Sequence, residues 1–235
     1  MTSRITNESP LASDKITAPD ARLRPPFDAR ARARVATALA DGSVMAYPTE
    51  TFYALGGNAL HARLAEEIFR LKGREGGKAL LLLVDGARDV HRLAVPSAPA
   101  ETLMAALWPG ALTLVLPAAP SLPAHLRAAG GTVALRWSPH PVIAELLAIG
   151  GVPLIGTSAN RSGAPPATTA DAVSAAFPGA VSVLVDGGAT AGGVPSTLLD
   201  TTTRPFTILR PGMVSAAAIS QALAPRFTPW SPAQP

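Results

Sequence analysis

The chain has 235 residues, of which 48% are hydrophobic and 15% charged, which suits one large domain or one and a half small ones. No apolar run approaches the roughly 18 residues of a membrane span, and the first residues lack the hydrophobic core of a secretion signal, so we expect a cytoplasmic protein without membrane contact. The formal net charge of +4 favours anionic partners such as nucleotides or RNA, while the absence of cysteine and the irregular spacing of the four histidines argue against disulfides, thiolate nucleophiles and a protein-bound metal.

Composition along the chain predicts a disordered N-terminal arm at 1–28, one ordered domain at 29–223 and a proline-rich tail at 224–235. The end of the arm and the residues after it are rich in arginine, at Arg22, Arg24, Arg30, Arg32 and Arg34. These side chains either touch RNA phosphates or form a solvated basic face, and the solvated face is the simpler interpretation.

Hydrophobic periodicity predicts that helices and strands alternate through the domain. We expect helices at 29–40, 61–71, 100–107, 139–147, 169–177 and 215–223, and strands at 43–47, 79–84, 112–116, 132–136, 152–156, 181–185, 198–200 and 207–209. Residues 79–84 are too continuously apolar for a half-exposed strand, which places them centrally in the sheet. Ser138 and Pro139 are the expected N-cap and first-turn proline of the helix at 139–147.

A polar cluster follows the strand at 43–47, within the sequence A-Y-P-T-E-T-F-Y-A-L-G-G at 46–57. It places Thr49, Glu50, Thr51 and Tyr53 just beyond the end of a buried strand. Open α/β sheets usually carry ligands at such ends, although an ordinary strand-to-turn connection has the same pattern.

A second candidate segment is the glycine-rich loop at 72–78, which reads K-G-R-E-G-G-K. It holds Lys72 and Lys78, the two lysines of the domain, on either side of Arg74, in a chain that otherwise uses arginine for positive charge. The loop is not a Walker A sequence. It fits a phosphate-holding loop and a solvent-facing turn equally well.

Further polar groups follow later strands. Arg136 ends one strand beside a helix start, which suits bidentate binding of a carboxylate, with a surface ion pair as the alternative. Ser158 and Asn160 lie in T-S-A-N-R-S-G at 157–163, which is not a nucleophile elbow because Asn160 stands where glycine is required, so both are predicted to act as hydrogen-bonding groups. A glycine-rich loop at 187–193 precedes Ser196.

Taken together, these segments resemble the YrdC-like family of threonylcarbamoyl-AMP synthases over about residues 30–215. The resemblance rests on seven motifs in the family's order: P-T-E-T-F-Y-A-L-G at 48–56, K-G-R at 72–74, W-P-G-A-L-T at 108–113, V-A-L-R with H-P at 133–141, T-S-A-N-R-S-G at 157–163, S-T-L-L-D at 196–200 and L-R-P-G at 209–212. It implies a single α/β domain with a twisted mixed parallel and antiparallel open sheet, flanked by helices, and a deep basic cavity.

The resemblance also implies an enzyme that condenses L-threonine, bicarbonate and ATP to threonylcarbamoyl-AMP and pyrophosphate. Mg²⁺ would arrive with the ATP. A separate transferase partner would pass the threonylcarbamoyl group to tRNA, and tRNA or double-stranded RNA is a further expected partner. This chemistry needs neither a covalent nucleophile nor a metal held by the protein.

Site residues are carried over by motif position. Lys72 and Arg74 match the catalytic cations. Threonine-binding positions are Thr51, Arg136 and Ser196, with Thr49 and Tyr53 in the same wall. Positions facing ATP are Arg74, Lys78, Thr132, Ser158, Asn160 and Arg210.

Three departures from the family's pattern put substrate affinity in question. Glu75 adds negative charge beside the expected phosphates, Leu83 stands near a usual histidine, and Pro166 stands near a usual serine or threonine. Glu75 and Leu83 favour the alternative function, a family relative that binds RNA or nucleotide without synthase activity. A phosphate hydrolase is a third hypothesis, and it predicts ADP and free phosphate as products.

Overall fold

The computed structural model describes residues 22–73, 80–224 and 226–227, without the side chain of Arg88. Its helices are α1 (Ala29–Ala40), α2 (Ala62–Lys72), α3 (Ala87–Leu93), α4 (Ala98–Leu107), α5 (Pro141–Gly150), α6 (Ala170–Ala176) and α7 (Ala216–Leu223). Its strands are β1 (Arg22–Leu23), β2 (Met45–Pro48), β3 (Tyr53–Gly56), β4 (Leu81–Leu83), β5 (Leu112–Pro117), β6 (Thr132–Arg136), β7 (Leu154–Ile155), β8 (Thr157–Ser158), β9 (Val183–Val185), β10 (Thr197–Asp200) and β11 (Thr207–Arg210).

The strands form two mixed sheets, with orders β1-β9-β2-β3-β8 and β11-β10-β5-β6-β4-β7. Parallel pairs join β1 to β9, β9 to β2, β4 to β6 and β5 to β10, and the remaining neighbours are antiparallel. The predicted mixed α/β fold is therefore confirmed, with two sheets in place of one.

The two sheets meet at one short segment of chain. β7 belongs to one sheet and β8 to the other, and Gly156 stands between them. A Cβ on Gly156 would lie 2.7 Å from Leu83 Cγ, and a Cβ on Gly56 would overlap the carbonyl oxygen of Ile155. Glycine at both positions lets the backbones approach closely enough to join the sheets.

Two clusters of buried apolar side chains hold the helices against the sheets. In the smaller cluster, α1 and α5 pack on the first sheet through residues that include Leu39, Tyr47 and Leu146. The larger cluster joins α2, α4, α6 and α7 to both sheets, and it includes Ile68 and Leu114. The helices therefore cover the faces of the two sheets, and polar groups lie at the ends of the strands.

Residues 22–28 correct the predicted N-terminal arm, because they belong to the fold. β1 pairs with β9, and Leu23 and Phe27 are buried. Arg22 forms ion pairs with Asp171 at 2.6 Å and Asp186 at 3.0 Å. Sequence periodicity cannot detect a strand of two residues whose partner strand lies about 160 residues away. The rest of the arm, and most of the predicted tail, lie outside the described residues.

The start of α5 is a second correction. The helix begins at Pro141, and its N-cap is His140, whose Nδ1 accepts from the amide of Val142 at 3.3 Å. Ser138 lies two residues before the N-cap, and its hydroxyl donates to Glu50 at 2.6 Å and accepts from the amide of His140 at 3.2 Å. The prediction did not anticipate this tertiary contact.

Other boundaries agree closely with expectation. The bounds of α1 and β6 are those predicted, and Trp108 is buried as a core anchor with its indole N–H donating to Leu112 O at 2.6 Å. The sequence patterns missed β3, α3 and β8. Within the described residues, no helix is long and apolar enough to cross a membrane.

Candidate functional site

The polar cluster after β2 forms a tight turn. Thr49 Oγ1 donates to Phe52 O at 2.7 Å, accepts from the amides of Thr51 and Phe52, and lies 3.1 Å from Thr51 Oγ1. The carbonyl of Thr51 accepts from the amide of Gly192 at 2.8 Å. These contacts reverse the chain into β3 and fix the glycine-rich loop at 187–193 against the turn.

Glu50 turns from this cluster toward the end of β6, where it forms an ion pair with Arg136. The Arg136 side chain is 4% exposed and that of Glu50 is 20% exposed. Arg136 Nε also donates to Gly110 O at 3.2 Å, and Glu50 accepts from Ser138 at 2.6 Å. The predicted carboxylate-binding arginine is therefore already held by a carboxylate of its own chain, so a substrate carboxylate would have to share or displace Glu50.

Arg136 remains a cation at neutral pH. Burial lowers its pKa to about 10, with a smaller contribution from the like charge of Arg210. Glu50 is the residue that the assignment by motif missed, and its position beside Thr49 and Thr51 is the signal that could have identified it.

Ser196 and Arg210 form the next part of the site. Arg210 donates to the Ser196 carbonyl at 2.9 Å and to its hydroxyl at 3.2 Å. The Ser196 hydroxyl is also 2.9 Å from Thr113 Oγ1 on β5. Burial lowers the pKa of Arg210, which is consistent with a guanidinium partly withdrawn from water. The pairing of β10 with β5 and β11 brings these three side chains together.

Lys72 ends α2 and reaches the loop that carries Ser158 and Asn160. Its ammonium donates to the carbonyls of Ser158 and Asn160, the latter at 2.9 Å, and lies 3.2 Å from Asn160 Oδ1. Ser158 donates to the same Oδ1 at 2.6 Å. Lys72 is buried, and in this arrangement its charge orders the loop.

Tyr53, the first residue of β3, contacts the glycine-rich loop at 187–193. Its hydroxyl donates to Gly188 O at 2.7 Å. Burial raises its pKa, and the charge of nearby Asp186 adds to the effect, so the phenol stays protonated. Asp186 in turn accepts from the amide of Gly188 at 3.2 Å and pairs with Arg22 and Arg24.

The contacts join most of the predicted residues into one continuous set. Glu50 links the turn after β2 to Arg136, β5 pairs with both β6 and β10 and so lies between Arg136 and Ser196, and β3 pairs with β8 in the register Ala54 to Ser158. The members of this site set are Thr49, Glu50, Thr51, Tyr53, Lys72, Arg136, Ser158, Asn160, Ser196 and Arg210. Segments distant in sequence therefore converge at neighbouring strand ends.

Three predicted residues are not linked to the site set by contacts of the described residues. Thr132 begins β6 whereas Arg136 ends it, which separates their backbones by about 13 Å. The contacts of the site set do not include Thr132, so its assignment to the ATP end of the site stays a prediction. Arg74 and Lys78 lie outside the described residues, so their roles and the deep basic cavity stay predictions. Among the described residues there is no group of three or more histidine or acidic side chains that could hold a metal.

Comparison with known proteins identifies close relatives. A family model for the Sua5, YciO and YrdC proteins, described as "Telomere recombination", matches residues 37–212. The threonylcarbamoyl-AMP synthase of Bacillus subtilis (strain 168) is 37% identical over 82% of this chain and 56% of its own length. The enzyme of the same name from Thiobacillus denitrificans is 39% identical over 69% of this chain and 86% of its own length.

A solved structure has the same fold. The crystal structure of P. abyssi Sua5 complexed with L-threonine superposes with a TM-score of 0.80 and 34% identity, over 86% of this chain and 60% of that one. This chain thus spans a little over half the length of the Bacillus subtilis and P. abyssi proteins that it matches.

Proposed function

The chain belongs to the Sua5/YciO/YrdC family, and we propose that it makes threonylcarbamoyl-AMP from L-threonine, bicarbonate and ATP. In this reaction the threonine nitrogen bonds to the carbon of bicarbonate with loss of a proton and water. The new carbamate oxygen then attacks the α-phosphorus of ATP, and pyrophosphate leaves. The observation that supports this proposal best is the convergence of the site set, which offers cations and hydroxyls from separate loops to the carboxylate of an amino acid and the phosphates of a nucleotide.

The threonine end of the site is proposed to be formed by Thr51, Arg136 and Ser196. Arg136 is a fixed, buried cation, and Glu50 holds one side of its guanidinium group. A guanidinium can accept a second carboxylate on another edge, since it carries five N–H donors. Glu50 carries negative charge at this place and is suited to attract the ammonium group of the amino acid.

The nucleotide end is proposed to be formed by Ser158, Asn160 and Arg210, together with Arg74 and Lys78. Arg210 can balance the charge of a phosphate. Some of its five N–H groups bind Ser196, and the others are available to donate to a phosphate oxygen. Lys72 supports this end by holding the loop of Ser158 and Asn160, and a direct role in catalysis would require some of those bonds to be exchanged. Positioning and charge neutralisation supply most of the catalysis in phosphoryl chemistry.

Mg²⁺ is proposed to enter with ATP. The oxygens of the triphosphate, and not a cluster of protein carboxylates, would hold it, which matches the donor types in the site set. When bound, it would neutralise charge on the leaving pyrophosphate.

The downstream partner is proposed to be a transferase that passes the threonylcarbamoyl group to tRNA. An adenylate is an activated, hydrolysable intermediate, so a consuming reaction must follow its synthesis closely. The proposed cellular location is the cytoplasm, where ATP and tRNA are both present.

The test is the conversion of ATP to pyrophosphate and adenylate by the purified chain, with threonine and bicarbonate omitted in turn. We expect product only when both are present, and Arg136→Met to raise the KM for threonine far more than that for ATP. Turnover to ADP and phosphate would favour a hydrolase. RNA or nucleotide binding without any threonine-dependent turnover would favour the non-catalytic relative.

A further inference from the structure

The glycine-rich loop at 187–193 connects the end of β9 to the segment that carries Ser196. No residue of the loop is buried, whereas Ser196 is 3% exposed. A loop with little apolar burial keeps its conformation mainly through hydrogen bonds. The contacts that hold this loop therefore decide where the chain enters the threonine end of the site.

Gly188 is held at both of its backbone polar groups. Its amide donates to Asp186 Oδ1 at 3.2 Å, and its carbonyl accepts from the Tyr53 hydroxyl at 2.7 Å. Tyr53 is fully buried at the start of β3, and the side chain of Asp186, which directly follows β9, is 11% exposed. Both side chains extend from strands of the first sheet, and together they are called the loop anchor.

The Asp186 carboxylate is itself held in one orientation. Its Oδ2 accepts from Arg22 Nε at 3.1 Å and from Arg24 Nε at 3.2 Å, which leaves Oδ1 for the amide of Gly188. The amide of Asp186 also donates to Leu23 O at 2.7 Å. Burial acts to raise the pKa of Asp186, but the glycine amide and the two arginines lower it below its ordinary value, so the carboxylate is charged at neutral pH. A charged acceptor strengthens the hydrogen bond from Gly188.

The anchored loop meets the threonine end of the site at two places. The Gly192 amide donates to the Thr51 carbonyl at 2.8 Å, and the chain then continues to Ser196. A displacement of the loop would move Thr51 and Ser196 together. The loop at 157–163, at the nucleotide end, is held separately by Lys72. The loop anchor therefore acts on one end of the site and not on the other.

We infer that Asp186 is a positioning residue for the amino-acid substrate, and that it acts through the Gly188 amide together with Tyr53. Asp186 does not touch the substrate in this role, because it holds the loop that places Thr51 and Ser196. Binding groups contribute fully only when their positions are fixed in advance. The inference rests on the proposed function, which supplies threonine as the substrate.

The test begins with two substitutions of Asp186 in the full chain. Asp186→Ala removes the acceptor for the Gly188 amide, whereas Asp186→Asn keeps a neutral acceptor at the same place. Asp171→Ala is the matched control, because Asp171 also pairs with Arg22, at 2.6 Å, but is 83% exposed and forms no hydrogen bond with the loop among the described residues.

Two measurements are made on each protein. The adenylate assay gives the KM for threonine and the KM for ATP, each with the other substrates saturating. Hydrogen exchange without substrates reports how firmly the amides of the loop at 187–193 are held, and urea denaturation confirms folding. Tyr53→Phe removes only the hydroxyl that binds the Gly188 carbonyl, so it tests the other half of the loop anchor even if Asp186→Ala does not fold.

We expect Asp186→Ala to raise the KM for threonine about ten-fold, to change the KM for ATP by less than about two-fold, and to speed loop exchange about ten-fold. Tyr53→Phe should change the same quantities in the same direction, Asp186→Asn should restore most of the KM for threonine, and Asp171→Ala should match the wild type.

Equal rises in the two KM values, an unchanged KM for threonine in Asp186→Ala, or no recovery in Asp186→Asn would each overturn the inference. A wild-type chain that makes no adenylate would refute the proposed function. In that case faster loop exchange in Asp186→Ala would still support the anchoring of the loop, and unchanged exchange would overturn it.

Discussion

At the scale of single residues, the main feature of the site is the buried ion pair between Arg136 and Glu50. A buried guanidinium is costly unless a carboxylate and further acceptors surround it, and here Glu50 and Gly110 O supply both. The contacts that stabilise the charge of Arg136 also fix the orientation of its guanidinium group. The stability of this region and the proposed binding of the threonine carboxylate therefore involve the same few atoms.

Glu50→Gln tests this coupling. We expect it to reduce the free energy of unfolding by about 3 kcal/mol, since it leaves the charge of Arg136 buried and unpaired. Arg136→Met should cost a similar amount, and the double variant should cost clearly less than the sum. Urea denaturation of all four proteins gives the cycle, and strictly additive losses would mean that the two side chains do not interact.

Arg74, which lies outside the described residues, is predicted to be a catalytic cation. Arg74→Ala should lose about 2–4 kcal/mol of transition-state stabilisation, because a cation that balances the leaving pyrophosphate would be absent. The comparison of kcat/KM for ATP in the adenylate assay measures this loss. Arg92→Ala, which removes an exposed arginine paired with Asp89, is the matched control. Wild-type turnover in Arg74→Ala would show that the assignment is wrong.

At the scale of elements, the segment between β6 and α5 ties the site to the helix layer. Ser138 donates to Glu50 and accepts from the amide of His140, and His140 caps α5 through Nδ1. Burial lowers the pKa of His140. Because Nδ1 accepts a hydrogen bond only when it is unprotonated, this cap works in the neutral form.

The pH dependence of stability follows from that lowered pKa. Above pH 6.5 the imidazole is neutral in both folded and unfolded chains, so it contributes no slope. As the pH falls below 6.5 the unfolded chain binds a proton first, and the free energy of unfolding should decrease. His140→Asn keeps an N-cap acceptor without a titrating group, so its urea midpoint should fall less between pH 7 and pH 5. Parallel profiles for the two proteins would contradict this account.

The junction of the sheets offers a second prediction at this scale. Gly56→Ala should destabilise the fold by about 3 kcal/mol, because the new methyl group overlaps the backbone of Ile155 and the strands must separate. Gly163→Ala is the control, since Gly163 has φ +82° but open space around its Cα, and it should cost only about 1–2 kcal/mol. Thermal or urea unfolding distinguishes them. Similar losses would show that packing at the junction is looser than described.

At the scale of the whole molecule, the parallel strands β2 and β9 form the middle of the first sheet, and β2 leads into the turn that carries Thr49, Glu50 and Thr51. β1 completes this sheet by pairing with β9, and its Arg22 pairs with Asp186 beside the glycine-rich loop. The N-terminal segment thus contributes to the site through the sheet.

Truncation measures that contribution. A chain that begins after residue 28 should be less stable than one that begins after residue 21 by about 3–5 kcal/mol, because it lacks the buried side chains of Leu23 and Phe27. Urea denaturation of the two truncated proteins makes the comparison. Equal midpoints would mean that β1 adds no stability.

The sequence by itself determined the elements whose signals are local. The periodicity of α1, the apolar run around β4 and the bounds of β6 are properties of neighbouring residues, and the order of seven motifs was enough to indicate the family. Lys72, Arg136, Ser158, Ser196 and Arg210 could be named because they stand in those motifs.

Only the tertiary structure decided how those residues are used. Glu50 pairs with Arg136 across 86 positions of sequence, Ser138 donates to the same carboxylate, and Lys72 holds a loop nearly 90 residues away. Local sequence patterns indicate secondary-structure propensity and burial. Which charged side chains pair, and at which end of a sheet a residue lies, depends on strand order, and strand order is set by the packing of the whole chain.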